Sequence, residues 1–272
     1  GTPRRRGRSR PSFCLFAPES STSCRLYAAA RRPHDARMTL LIVKTGSTMP
    51  HLAAERGDYE DWIEAGLGLP DVETVAVEAG EPLPDPSSLR GVVVTGSSAL
   101  VTDRLDWSER TGEWLVKALE ADVPMLCICY GHQLLADALG GEVGPNRRGR
   151  EIGAIDVALT DVGRADPLFE GLPETLRVSS SHRQQVLGLP DGAVALGQND
   201  MDPHQAYRIG DRVWGVQFHP EWDHEVIRAY LEARREILRE EGLDPEALLA
   251  RVAPSPHGVR ILQNFAHLTH PA

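Results

Sequence analysis

From residue 38 onward the chain alternates short apolar runs with helix-forming stretches, and this alternation constrains the fold more than any other feature. Residues 39–44 and 72–77 read as strands. Residues 91–95, Gly-Val-Val-Val-Thr, carry no polar alternation, which is the pattern of a parallel strand covered on both faces. A helix is predicted over 107–120 with Asp106 as its cap. Residues 123–128 form the next apolar strand, and a short helix over 133–139 closes at Gly140-Gly141. Such alternation specifies an α/β fold with a mostly parallel, doubly wound sheet flanked by helices.

The second half changes character. Strands are predicted over 152–159, 175–179, 192–196, 205–209 and 213–218, in a spacing that adds antiparallel strands to the sheet. A long helix is expected over 223–241 with Gly242 as its stop, then helices over 244–252 and 260–267. No internal repeat is present.

Charge divides the chain unevenly. Residues 1–37 hold nine Arg against Glu19 and Asp35, a surplus of seven positive charges, so the remaining residues carry −17 where the whole chain carries −10. A body that acidic is a poor nucleic-acid binder, because neutralising phosphates takes Lys and Arg. No apolar run reaches the roughly 18 residues that a membrane-spanning helix needs, so no membrane partner is expected. The first 37 residues show no apolar period and are expected to be a disordered or non-native extension ahead of one domain over 38–272. Three origins fit that extension: translated sequence upstream of a start at Met38, a targeting peptide of the Arg- and Ser-rich kind, or a disordered arm. Four cysteines, two of them in the extension, make no disulfide framework and no metal site; a reducing, cytoplasmic location is the simple expectation.

Chemistry concentrates in two places. In Cys127-Ile128-Cys129-Tyr130-Gly131-His132-Gln133 an apolar strand ends, a Cys follows and a helix begins. A nucleophile on such a strand-to-helix turn is exposed by a sharp bend, and the helix N-terminus favours its thiolate. Gly131 is expected to leave room for the turn. Cys127, still inside the strand, fits a buried structural Cys. Ninety residues on, a second apolar strand ends in Phe218-His219-Pro220-Glu221. A thiol needs a base that takes its proton and returns it to the leaving amine. His219 supplies one, and Glu221, on the same face of an extended backbone, can orient the imidazole. Alone, His-Pro-Glu is a common surface turn; the pairing with Cys129 is what makes it specific.

With both motifs in place the chain resembles the class I glutamine amidotransferases, and most closely the glutaminase domain of GMP synthase and its stand-alone relatives. The resemblance covers most of residues 39–267 and implies a flavodoxin-like architecture. It implies that Cys129 attacks a glutamine amide, with His219 and Glu221 completing the triad. It further implies that the amides of Gly96 and Tyr130 form the oxyanion hole, and that Gln133, Ser181 and His182 contact the substrate. No cofactor and no metal are implied. The substrate is glutamine or a γ-glutamyl compound, and the possible partner is a separate synthetase or acceptor subunit. A free-standing γ-glutamyl hydrolase and a non-catalytic regulatory module of the same fold are the alternatives. Three positions depart from the family pattern: Cys127 stands where Gly is usual, Thr95-Gly96-Ser97 replaces Gly-Gly-Pro, and Gln184 replaces an Asp. The missing proline is expected to soften the oxyanion loop.

Overall fold

The computed structural model describes residues 39–269. The extension expected over 1–37 lies outside the described residues. In chain order the first half comprises β1 (Leu40–Lys44), α1 (Pro50–Arg56), α2 (Tyr59–Leu67), β2 (Val72–Ala76), β3 (Gly91–Val94), α3 (Asp106–Glu120), β4 (Met125–Ile128), α4 (Tyr130–Ala138) and β5 (Glu142–Pro145). The second half comprises β6 (Glu151–Leu159), α5 (Asp161–Arg164), β7 (Thr175–His182), β8 (Gln184–Gly188), β9 (Ala193–Gln198), β10 (Ala206–Ile209), β11 (Val213–Val216), α6 (His224–Ala233), α7 (Arg235–Glu240), α8 (Pro245–Ala250) and α9 (His257–Thr269).

Nine strands form one sheet in the order β2-β1-β3-β4-β11-β10-β9-β6-β7, and β5 pairs with β8 in a separate ribbon. The first five are parallel, in the doubly wound order of flavodoxin-like sheets. The last four pair antiparallel, so the sheet is mixed and the parallel expectation holds for its core. Strands β3, β4 and β11 are buried at every residue, as their unbroken apolar character requires. Alternate residues feed opposite layers: Ile42, Val93 and Leu126 pack with α9 through Ile261, Leu262 and Phe265. Val43, Val92, Val94 and Cys127 pack with α3 and α4 through Leu115, Ala118 and Leu134. Each such side chain contributes about 1.5–3 kcal/mol when fully buried.

Several local expectations change. Asp106 is the first residue of α3 and not its cap; the N-cap is Leu105, with no side-chain hydrogen bond. Helix α4 starts at Tyr130, three residues early, immediately after Cys129. The long helix over 223–241 breaks at Arg234, whose ψ of 11° with φ of −109° interrupts the helical path between α6 and α7. Helices α1 and α2 and strands β5 and β8 had no sequence expectation. This arrangement places the loops after β1, β3, β4 and β11 together beyond the carboxyl ends of the parallel strands, where doubly wound sheets hold their ligands.

Candidate active site

Cys129 sits between β4 and α4 with φ 51° and ψ −98°, one of three non-glycine residues at positive φ among those described. Such backbone costs on the order of 1–3 kcal/mol and persists only where its surroundings fix it. Here the Cys129 amide donates to the Val216 carbonyl of β11 (2.8 Å), and its carbonyl accepts from Gln133 at the start of α4 (3.1 Å). The bend is therefore carried by Cys129 itself. Gly131 has a different task from the one expected: a Cβ there would lie 2.8 Å from the Cβ of Val94 and 3.0 Å from its carbonyl oxygen. The absence of a side chain lets α4 close onto β3. Cys127 points into the layer under α3 and α4, and burial pushes its thiol far up.

His219 follows β11. Its amide donates to the Ser179 carbonyl of β7 (2.8 Å), which ties the two halves of the sheet at this point. The imidazole Nδ1 lies 2.6 Å from Glu221 Oε1, both groups being buried. The carboxylate reaches the ring through a turn, with the Trp222 amide on the His219 carbonyl at 3.4 Å, and not along an extended strand. With Nδ1 occupied, Nε2 is the nitrogen left for Cys129, which lies close enough for its charge to act on the ring. Burial alone would lower the His219 pKa, but the charges of Glu221 and Cys129 and their hydrogen bonds outweigh it and hold it up at about 10. The structure thus brings Cys129, His219 and Glu221 together.

An aromatic stack unforeseen in the sequence clamps the imidazole. Trp222 lies 3.8 Å from the His219 ring, near parallel, and Tyr230 lies 4.1 Å beyond Trp222. The Tyr230 hydroxyl meets Tyr59 (3.0 Å) and Thr48 (2.6 Å), which closes the stack with hydrogen bonds. Position 222, adjoining Glu221, was the one local signal for it.

The loop after β3 is stiffer than its missing proline implies. The Thr45 amide donates to Thr95 Oγ1 (3.0 Å), Thr95 Oγ1 donates to the Gly96 carbonyl (3.0 Å), and Thr45 Oγ1 donates to the Thr95 carbonyl (2.9 Å). Each hydroxyl proton has an acceptor in this arrangement. The Thr95 carbonyl belongs to the same rigid peptide plane as the Gly96 amide, so Thr45 fixes where that N–H points. Gly96 also lies hard against the pair: a Cβ there would fall 2.8 Å from His219 Cε1 and 3.6 Å from Cys129 Cβ. Among the described residues, neither the Gly96 nor the Tyr130 amide donates to a backbone acceptor.

Gln133, Ser181 and His182 all line the same cleft, of about 450 Å³, as do Cys129 and His219. The Gln133 amide nitrogen is spent on the Gln184 carbonyl (2.8 Å) and Gln217 Oε1 (2.9 Å). Both ring nitrogens of His182 are engaged, one by the Gln184 carbonyl and one by Glu151, each at 2.8 Å, so this residue is no second base. His132, by contrast, lies on the buried side of α4 against Tyr207, and burial pushes its pKa down to about 3. Among the described residues no cluster of His, Cys, Asp and Glu is arranged to hold a metal, and no helix is long and apolar enough to cross a membrane.

Residues 70–235 match the family model described as glutamine amidotransferase class-I. The chain is 36% identical over 182 residues to the glutamine-hydrolysing GMP synthase subunit of Archaeoglobus fulgidus, spanning 65% of this chain and 93% of that one. It is 37% identical to the GMP synthase of Aeropyrum pernix over 68% of this chain but spans only 33% of that longer protein. Gamma-glutamyl peptidase 4 of Arabidopsis thaliana is 32% identical over 53% of this chain and 58% of its own length. In fold, a glutamine amidotransferase of Thermotoga maritima superposes with a TM-score of 0.68 over 85% of this chain and 97% of its own, at 21% identity.

Proposed function

The chain belongs to the class I glutamine amidotransferase family, and we propose that it hydrolyses the side-chain amide of glutamine through a γ-glutamyl thioester on Cys129. His219 takes the thiol proton of Cys129, and the sulfur attacks the amide carbon. The oxyanion that forms accepts from the Gly96 and Tyr130 amides. The C–N bond then breaks, and His219 gives its proton to the departing ammonia. Water next attacks the thioester with His219 as base, releasing glutamate and restoring the thiol. Glu221 holds the ring and offsets its charge. The observation that carries this reading is the Glu221–His219 pair at 2.6 Å, whose ring lies with a Cys held at positive φ against the Gly96 backbone. Gln133 through its side-chain carbonyl oxygen, Ser181, and His182 through its backbone hold the glutamyl portion.

The ammonia has no acceptor site that this reading can assign, so a separate synthetase subunit is the proposed recipient; similarity to a glutamine-hydrolysing GMP synthase subunit supports that. Similarity to a γ-glutamyl peptidase supports a second reading, a free-standing γ-glutamyl hydrolase. Glutamate release by the purified chain tests the proposal: wild type releases glutamate from glutamine, Cys129→Ala does not. Equal release by both would overturn it. Stimulation of release by an added synthetase subunit supports the partner, whereas fast turnover of γ-glutamyl amines by the chain alone supports the second reading.

A further inference from the structure

The part of the cleft wall that holds Gln133, Ser181 and His182 is backed by a buried carboxylate to which the chemistry above gives no task. Glu151 opens β6 opposite His182 in the β6–β7 ladder, and both side chains are buried. Its Oε2 meets His182 Nε2 at 2.8 Å and accepts from Gln205 Nε2 at 2.5 Å, while its Oε1 accepts from Asn199 Nδ2 at 2.7 Å. Burying a carboxylate is costly unless it is paired and hydrogen-bonded. The strands do not need it, because backbone pairing holds β6 to β7 in register from Glu151 with His182 to Ala158 with Thr175. A carboxylate kept in such a place fixes the directions of the donors around it.

Two routes lead from those donors to Gln133. The first runs through the His182 ring. Its Nδ1 lies 2.8 Å from the Gln184 carbonyl, which can only accept, so Nδ1 is a donor. The same carbonyl accepts from Gln133 Nε2 at 2.8 Å. The second route runs through Gln205, whose backbone carbonyl accepts from the Gln217 amide at 2.8 Å. Gln217 Oε1 then accepts from Gln133 Nε2 at 2.9 Å. Both acceptors of the Gln133 amide therefore belong to residues tied to the donors of Glu151. With Nε2 spent on them, Oε1 is the Gln133 atom left for the cleft. Glu151 is not among the residues that line that cleft, so it acts on a substrate only through these neighbours.

We propose that Glu151 is a positioning residue for the glutamyl group: by holding the His182 ring and Gln205 it sets the Ser181–His182 backbone and aims Gln133 Oε1. This rests on the glutamine-hydrolysing reading given above. Contacts to the glutamyl portion are alike in the ground state and the transition state, so loosening them weakens binding and spares the chemical step.

The test measures glutamate release from glutamine, and the labelling of Cys129, in wild type, Glu151→Gln and Glu151→Ala. Labelling uses a glutamine-derived diazoketone, which needs the glutamyl site, and iodoacetamide, which does not; peptide mass spectrometry reads both at Cys129. Glu151→Ala should raise KM about tenfold, the size of one hydrogen bond, and hold kcat within about twofold. It should slow the diazoketone by a similar factor and leave the iodoacetamide rate unchanged. Glu151→Gln keeps the shape and one acceptor oxygen, so it should fall between, and it carries the test if Glu151→Ala does not fold. An unchanged KM, a loss carried by kcat alone, or equal slowing of both reagents overturns the proposal and leaves glutamine hydrolysis standing. Wild-type protein that releases no glutamate overturns the glutamine-hydrolysing reading itself.

Discussion

Replacing Thr45 by Val keeps its shape and removes one hydroxyl. The Thr95 carbonyl then loses the donor at 2.9 Å that fixes the plane of the Gly96 amide, while Thr95 Oγ1 still reaches the Gly96 carbonyl. One oxyanion donor is worth about 10²–10³ in kcat when it is lost outright. A donor that is loosened and still present should cost less, roughly 10- to 100-fold. The carbonyl left short of a partner in a fully buried site costs about 1–3 kcal/mol, or a fall in Tm of roughly 2–12 °C for a domain of this size. Glutamine binding should barely change, since the ground-state amide does not need this donor, so kcat falls and KM holds. Thr45→Ser restores the hydroxyl and should recover most of both losses. Steady-state glutamate release and a thermal melt on the three proteins check this. Wild-type kcat in Thr45→Val, or a rise in KM that accounts for the whole loss, would refute the argument that Thr45 aims the Gly96 amide.

Glu221→Gln removes the nearest charge that raises the His219 pKa. A raised histidine contributes stability that is complete below its unfolded value near 6.5 and is lost as pH climbs toward about 10. The variant should therefore lack most of that decline between pH 6.5 and 10, and the alkaline limb of its kcat should move to lower pH; melts and rates across that window decide it. Gly131→Ala drives a methyl to 2.8 Å from Val94 Cβ, so α4 must shift at its first turn; glutamate release should fall at least tenfold with a Tm lower by several degrees. Cys127→Ala deletes one buried sulfur from the layer under α3 and α4 and should keep most activity, with a modest stability loss of about 1–2 kcal/mol in a denaturant melt.

The parallel core of the sheet was legible because β3, β4 and β11 are buried at every residue and so are apolar throughout. Cys129 was legible because strand, nucleophile and helix adjoin in sequence, and His219 with Glu221 because they lie two residues apart. What sequence reasoning missed depends on contacts across the fold. Tyr59 and Tyr230 are 171 residues apart and meet only because α2 and α6 flank the same cleft. Thr45 and Thr95 become neighbours only once β1 lies beside β3. The ribbon of β5 and β8 escaped because its strands are short and only partly buried, leaving no clear alternation. Helix α2 carried a readable signal, the capping box from Asp58 to Asp61, whereas α1 starts after Met49 with no side-chain cap. Glu151 and its partners His182, Asn199 and Gln205 come from β6, β7 and the β9–β10 connection, so no window of sequence shows them as a group.

The central claim is that Cys129 forms the acyl-enzyme, and a glutamine-derived diazoketone tests it most directly. The reagent should inactivate the protein with one equivalent bound, peptide mass spectrometry should find the adduct on Cys129, and glutamine should protect against it. His219→Ala should slow the labelling. An adduct on Cys127, or full glutamate release from protein labelled at Cys129, would contradict the account.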